Sequence, residues 1–247
     1  MGRDKDAWPA ARSGAVAAAD SSAREGTLQA LVEALAARGE RPAILAMDGS
    51  GVSTWSYARL ADTVLRVAAG LMAKGVIPGE PVALLGPNRP EWLVARLALL
   101  AVGALAVSLD DQANDSELGR ALKDSAARRL FTSRPYLAQL ERIGARQRLE
   151  LYLLDDGAPE AAGAVSWRDL LAAKALPLPA LRPDDPMRLF YTSGTTGRPK
   201  GVPLTHRNIL TVIQALVRER FLGPDDRVLV PLPYHHSYPF IVGALLP

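Results

Sequence analysis

The stretch Phe190-Tyr-Thr-Ser-Gly-Thr-Thr-Gly-Arg-Pro-Lys-Gly-Val202 decides the fold of this chain. Residues 188–191 (Arg-Leu-Phe-Tyr) predict a strand, and a loop rich in Ser, Thr and Gly follows it as far as Lys200. Hydroxyl groups supply hydrogen-bond donors, glycines let the backbone approach a ligand closely, and the lysine adds a positive charge. A loop that follows a strand lies at the carboxyl edge of an α/β sheet, where backbone N–H groups can bind an anion.

The composition of this loop leaves more than one interpretation open. A polar surface loop without a ligand has the same residue types. The P-loop of nucleotide hydrolases requires Gly-x-x-x-x-Gly-Lys followed by Ser or Thr. In this chain Lys200 follows Pro199 and lies three residues after Gly197, so the P-loop pattern is excluded.

Outward from the loop, short apolar runs alternate with segments of helical periodicity. Crossover helices between strands predict an α/β fold, a layered and mostly parallel sheet with helices on both faces. One helix is predicted after Ser56, which serves as its N-cap, and another is predicted to begin at Thr205. The predicted strands are residues 81–85, 104–109, 129–132, 149–154, 188–191 and 227–231.

Composition excludes several other classes of protein. The 247 residues are 49% hydrophobic and 22% charged, which is typical of a soluble globular protein. The absence of cysteine excludes disulfides and thiolate metal sites, and the three histidines are too few for a typical zinc site. Net charge is only +3, with arginines scattered among acids, so no nucleic-acid partner is expected.

The ends of the chain carry no targeting signal that we recognise. Residues 1–24 are charged throughout and lack the apolar run of a secretory signal, so residues 1–26 are predicted to form a mobile leader. The longest apolar stretch, residues 97–109, falls short of the ~20 residues that a transmembrane helix needs. These features predict a cytoplasmic protein with no transmembrane segment.

The loop and its flanking segments closely resemble the signature of the adenylate-forming superfamily. This superfamily includes acyl-CoA synthetases, adenylation domains of nonribosomal peptide synthetases and firefly luciferase. The residues that carry the resemblance are Tyr191-Thr-Ser-Gly-Thr-Thr-Gly-Arg-Pro-Lys-Gly-Val202 and Thr205-His-Arg-Asn208. Weaker similarity extends from about Thr27 onward, through Trp55-Ser-Tyr-Ala-Arg-Leu60, Gly79-Glu-Pro-Val-Ala-Leu84, Asp184-Asp-Pro186 and Pro231-Leu-Pro-Tyr-His-His-Ser-Tyr238. Acyl-CoA synthetases and long-chain fatty acid–CoA ligases are the most similar members.

The resemblance implies ATP-dependent activation of a carboxylic acid. The acid attacks the α-phosphate of Mg-ATP to form an acyl-adenylate, and coenzyme A then displaces AMP. It implies phosphate contacts from Thr192, Ser193, Gly194, Thr195, Thr196, Gly197 and Lys200. Thr196 is also the implied Mg²⁺ ligand, and His236 and Tyr238 are implied to lie beside the substrate carboxylate.

Residues 27–247 are expected to form only the N-terminal part of the large AMP-binding domain. Superfamily members are longer and carry later adenine- and ribose-binding motifs, followed by a C-terminal domain with a catalytic lysine. We therefore expect that this chain lacks a complete set of catalytic residues and that the isolated chain is inactive. We also expect it to self-associate through its uncovered surface. Two alternatives remain open, namely an adenylation domain or fatty acyl-AMP ligase that loads a carrier protein, and a short non-catalytic protein that binds a nucleotide or a partner.

Overall fold

The computed structural model describes residues 26–48, 51–156, 163–173, 176–192, 200–223 and 225–247. It contains one large sheet, one separate hairpin and helices on both faces of the sheet. The strands are β1 (Pro42–Asp48), β2 (Gly51–Ser56), β3 (Pro81–Leu85), β4 (Leu105–Ser108), β5 (Arg129–Thr132), β6 (Glu150–Leu153), β7 (Ala164–Ser166), β8 (Pro186–Thr192) and β9 (Lys200–Thr205). The α-helices are α1 (Gln29–Ala34), α2 (Tyr57–Ala73), α3 (Pro90–Val102), α4 (Asp115–Asp124), α5 (Leu137–Arg142), α6 (His206–Arg218) and α7 (Ser237–Phe240). Within these described ranges, no helix has both the length and the hydrophobicity needed to cross a membrane.

The large sheet has seven strands in the order β7-β6-β5-β3-β4-β8-β9. All neighbours are parallel except β8 and β9, which form an antiparallel pair at one edge. Strands β1 and β2 form a separate antiparallel hairpin. The predicted α/β fold with a mostly parallel sheet is therefore confirmed.

The sheet is buried on both faces because successive residues of its central strands point to opposite sides. Val82 and Leu84 of β3 belong to one apolar cluster, which α2 and α3 complete. Ala83 and Leu85 belong to a second cluster on the other face, which α4 and α5 complete. This alternation explains why the strand is apolar at nearly every position.

Side-chain caps fix the start of three helices. The Ser56 hydroxyl accepts a hydrogen bond from the Arg59 backbone N–H at 3.1 Å, as predicted from the sequence. Thr205 caps α6 with its hydroxyl, which accepts from the Asn208 N–H at 3.2 Å. Asn114 caps α4 in a reciprocal pair with Glu117. These bonds satisfy N–H groups that the helices themselves leave unpaired.

The sequence prediction fails for the separate hairpin, for the two edge strands of the sheet and for one unpaired segment. Strands β1, β2, β7 and β9 were not predicted, and of these β2, β7 and β9 lack a long continuous apolar run. The predicted strand at residues 227–231 is wrong, because these residues pair with neither edge of the sheet. The side chain of Leu229 in this segment is 87% exposed, so apolar character alone did not create a strand.

Helix α2 packs closely against the 3-10 helix Trp167–Ala172 at Gly70. A methyl group built on Gly70 would lie 2.3 Å from the Leu170 carbonyl oxygen. The Arg66 side chain, one turn before Gly70, donates to the Leu171 carbonyl at 2.7 Å and holds the same two elements together. The glycine is therefore required by a close approach of two backbones.

We predict that Gly70→Ala lowers the free energy of unfolding by about 1–3 kcal/mol, because the two elements must separate to admit the methyl group. Gly119→Ala is a matched control in α4, where the nearest atom to the new methyl group lies 3.9 Å away. That variant is expected to be neutral or stabilised by up to about 1 kcal/mol. Urea unfolding of both variants measures the difference, and equal effects would contradict the packing described.

His206 joins the first and sixth helices in the core. Its side chain is 1% exposed, and its Nδ1 atom accepts a hydrogen bond from the Leu28 backbone N–H at 3.2 Å. The pKa of His206 is lowered from 6.5 to about 4, chiefly by burial, against the opposing effect of Asp185 and with a smaller contribution from Arg96. The imidazole is therefore neutral in the folded protein, and the histidine belongs to the helix start, as predicted.

We predict that the chain loses stability as the pH falls from about 6.5 to about 4. In this window the unfolded chain takes up a proton on His206 that the folded chain excludes. The loss is expected to reach up to about 3 kcal/mol at the acid end. His206→Asn removes the titrating group, so its unfolding free energy should vary less with pH over this window. His235 is present in both proteins, so the difference between the two slopes reports on His206 alone. Identical slopes would contradict the prediction.

Candidate functional site

A cavity of about 180 Å³ opens at the carboxyl ends of β4 and β8. Strand β3 connects to α3 on one face, whereas the adjacent β4 connects to α4 on the other face. Such a change of direction creates the crevice in which α/β proteins bind ligands. The cavity is lined by Ser108, Leu109, Asp110, Ala113, Glu117, Leu118, Arg120, Ala121, Phe190, Tyr191, His235 and His236.

Tyr191 fixes the wall of this cavity immediately before the Ser/Thr/Gly-rich loop. Its hydroxyl donates to the Asp124 carboxylate at 2.8 Å and lies 3.2 Å from the Ala121 carbonyl oxygen. Burial, and then the hydrogen bond to Asp124, raises the pKa of Tyr191, so the phenol stays protonated as a donor. The end of β8 is thereby tied to α4.

The predicted phosphate-binding residues are only partly within the described residues. Thr192 and Lys200 are direct partners at the end of the β8–β9 pair, so the two ends of the loop are held side by side. Lys200 is exposed and forms no ion pair with any described residue. Ser193, Gly194, Thr195, Thr196 and Gly197 lie outside the described residues, and so does the proposed Mg²⁺ ligand among them.

The two predicted substrate-pocket residues differ in position. His236 lines the cavity, which is compatible with its predicted role. Tyr238 is 62% exposed and is not among the lining residues. Its role beside a substrate therefore stays a prediction without structural support.

The sequence reasoning missed His235, Asp110 and Asp111, which meet at the wall of the cavity. His235 Nε2 lies 3.5 Å from Asp110 Oδ1, and His235 Nδ1 lies 3.7 Å from Asp111 Oδ1. Burial lowers the pKa of His235 despite the opposing effect of Asp110, so the ring is held neutral. One feature of the sequence could have indicated the two aspartates, because Asp110 and Asp111 directly follow a predicted strand and so belong at the same edge of the sheet as the end of β8.

Two arginines are buried behind the cavity around the Phe240 ring. The Arg96 and Arg188 guanidinium carbons lie 4.7 and 5.5 Å from the ring centroid. Arg188 also donates to the His235 carbonyl oxygen, and Arg96 lies 3.4 Å from the Met187 carbonyl oxygen. Among the described residues neither has a carboxylate partner. Burial, and then Arg188, lowers the pKa of Arg96 well below its usual value, and burial lowers the pKa of Arg188 to about 10.

We predict that Arg96→Met raises the free energy of unfolding by roughly 1 kcal/mol or more, since an apolar side chain replaces a buried charge that lacks an ion-pair partner. The variant also relieves the repulsion that Arg188 exerts. Arg218→Met, at the exposed end of α6, is the control and should change stability by less than about 0.5 kcal/mol. Thermal unfolding of the two variants measures these changes in stability, and a clear loss of stability in Arg96→Met would contradict the prediction.

The fold and the cavity together define an α/β domain with a cavity at the carboxyl edge of its sheet, where α/β proteins bind ligands. Comparison with known proteins identifies the class more narrowly. Residues 31–247 match the family model described as "AMP-binding enzyme". The chain therefore belongs to the AMP-binding enzyme family, whose characterised relatives include CoA ligases, and the resemblance seen in the sequence is confirmed.

Curated relatives of the chain include aryl-CoA ligases. A feruloyl-CoA synthase from Amycolatopsis sp is 36% identical over 192 residues, which cover 76% of this chain and 35% of the relative. A 4-coumarate–CoA ligase 3 from Oryza sativa subsp. japonica is 34% identical over 205 residues, which cover 81% of this chain and 36% of the relative. The chain thus spans about a third of the length of these relatives.

Solved structures agree with the fold. A fatty acyl CoA synthetase from Mycobacterium tuberculosis superposes with a TM-score of 0.75 at 23% identity, over 90% of this chain and 43% of that one. ATP-bound MatB from Rhodopseudomonas palustris superposes with a TM-score of 0.71 at 28% identity, over 88% of this chain and 43% of that one. The chain shares its architecture with both, and one of them binds ATP.

Proposed function

We propose that the protein activates a carboxylic acid with ATP and transfers the acyl group to coenzyme A. The acid would attack the α-phosphate of ATP, with pyrophosphate as the leaving group, and the thiol of coenzyme A would then displace AMP. The observation that carries the proposal is the family match over residues 31–247. It is supported by the pairing of Thr192 with Lys200, which flank the signature loop, and by Tyr191, which lines the cavity.

The loop between β8 and β9 is the proposed phosphate site. Lys200 is exposed, has no ion-pair partner among the described residues, and stands where β9 begins beside the end of β8. Its charge is therefore available to a phosphate group. Ser193, Gly194, Thr195, Thr196 and Gly197 would supply hydroxyl and backbone donors, with Thr196 as a ligand of Mg²⁺. A bound Mg²⁺ would neutralise charge on the departing pyrophosphate.

The cavity is the proposed approach to the acid, with His236 at its wall. Relatives are named for feruloyl, coumarate and fatty acyl groups, so both aromatic and fatty acids are candidates. These relatives are CoA ligases, which favours coenzyme A over a carrier-protein thiol as the acceptor. A cytoplasmic location and self-association remain predictions.

The proposal is tested by pyrophosphate release from Mg-ATP with aromatic acids and with short-, medium- and long-chain fatty acids. The protein purified from its native source and the isolated 247-residue chain are assayed in parallel. We expect the isolated chain to release no pyrophosphate, because it covers about a third of its relatives. Release at a rate typical of a complete ligase would contradict that expectation. If the native protein neither binds ATP nor releases pyrophosphate with any acid, the proposed function is wrong.

We predict that Lys200→Ala in the native-length protein lowers kcat/KM for pyrophosphate release by about 10²-fold or more, since a charge contact to the phosphates is removed. Lys123→Ala is the matched control, because Lys123 is an exposed lysine at the end of α4. That variant should retain wild-type kinetics. A Lys200→Ala protein with unchanged kcat/KM would exclude Lys200 from the phosphate site.

A further inference from the structure

Three side chains from two distant parts of the chain converge at one point of the cavity wall. Asp110 and Asp111 follow β4, and His235 lies just before α7. One donor atom from each residue lies within 4.8 Å of the other two. One imidazole nitrogen and two carboxylate oxygens form a donor set that suits a divalent metal ion.

Three polar atoms of the buried members of this cluster lack hydrogen-bond partners. Asp111 also has a side-chain hydrogen bond with Tyr136. The His235 side chain is 7% exposed and that of Asp111 is 10% exposed. Both ring nitrogens of His235 and the Oδ1 atom of Asp111 are buried without a hydrogen bond to any described residue. Because buried polar groups are almost always satisfied, these atoms indicate a ligand that bonds to them.

The separations fit a shared metal ion better than a direct ion pair. The Nε2 atom of His235 lies 3.5 Å from Asp110 Oδ1, which is longer than a charge-assisted hydrogen bond of about 2.7–2.9 Å. Two donors that each bond one ion at about 2.1 Å stand about 3.0–3.4 Å apart in octahedral or tetrahedral geometry. The Asp111 Oδ1 atom lies 3.7 Å from the other ring nitrogen, Nδ1, and the three donor atoms lie within 4.8 Å of one another. Small movements of both carboxylate side chains would therefore bring all three donors to one ion.

We propose that one ring nitrogen of His235, together with Asp110 and Asp111, binds a divalent first-row transition-metal ion between Mn²⁺ and Zn²⁺ at the cavity wall. Two carboxylates balance the charge of the ion, and the imidazole favours these metals over Mg²⁺. Asp110 and His235 line the cavity, so water or a ligand in the cavity can occupy the remaining coordination positions. The site uses different residues from the Mg²⁺ proposed for the loop, and it does not depend on the ligase function.

Titration of the purified 247-residue chain with Co²⁺ tests the site, with any affinity tag removed. Co²⁺ bound by nitrogen and oxygen ligands produces visible absorption, and competition with Zn²⁺ and Mn²⁺ gives their relative affinities. We expect saturation at one ion per chain. His235→Gln and Asp111→Asn should each weaken binding by more than about tenfold, which is the loss caused by removing even an outer partner of a metal ligand.

The variants at the buried residues His235 and Asp111 could lose Co²⁺ binding because they misfold. Asp110→Asn tests the site without this risk, because the Asp110 side chain is 54% exposed. It should keep the wild-type circular dichroism spectrum while it weakens Co²⁺ binding by the same factor. Asp62→Asn, an exposed aspartate on α2, is the control and should bind Co²⁺ as wild type does. The proposal is overturned if the chain does not bind Co²⁺ saturably, or if binding survives both Asp110→Asn and His235→Gln.

Discussion

The pairing of β4 on both sides is the constraint on which the rest of the structure depends. Every residue of β4 is buried, so its backbone N–H and C=O groups have no access to water and must bond to neighbouring strands. Strand β3 pairs on one side and β8 on the other. This arrangement brings the residues after β4 beside the end of β8, and the cavity lies between them.

The hydrophobic pattern of the sequence predicts the central strands and the helices between them, because each of these elements is encoded by its own residues. The buried strands β3 to β6 are apolar runs that separate capped or amphipathic helices, and the sequence predicts them within a residue or two. Strand β9 is largely exposed, has a proline in its middle, and exists because it pairs with β8, which its local pattern does not encode. Residues 227–231 show the converse, since an apolar run without a partner strand remained irregular.

The candidate site was predictable only in part, for a related reason. The signature loop is contiguous in sequence, so its resemblance to the family signature could be recognised and predicted a phosphate site, although its composition alone did not exclude a plain surface loop. The cluster at the cavity wall joins two segments more than a hundred residues apart, and only the fold reveals that His235 meets Asp110 and Asp111. The positions of the buried arginines could not be predicted either. Arginine side chains usually lie at the protein surface, whereas Arg96 and Arg188 are fully buried.

Strand β9 has a consequence for how this sheet behaves towards other molecules. It forms one edge of the sheet and carries Pro203, which pairs with Leu189 and has no N–H to donate. It also begins at the charged, exposed Lys200. A foreign strand that approached this edge would meet a missing donor and an ammonium group that must be desolvated. The residues beside the proposed phosphate site therefore also act as gatekeepers against edge-to-edge aggregation.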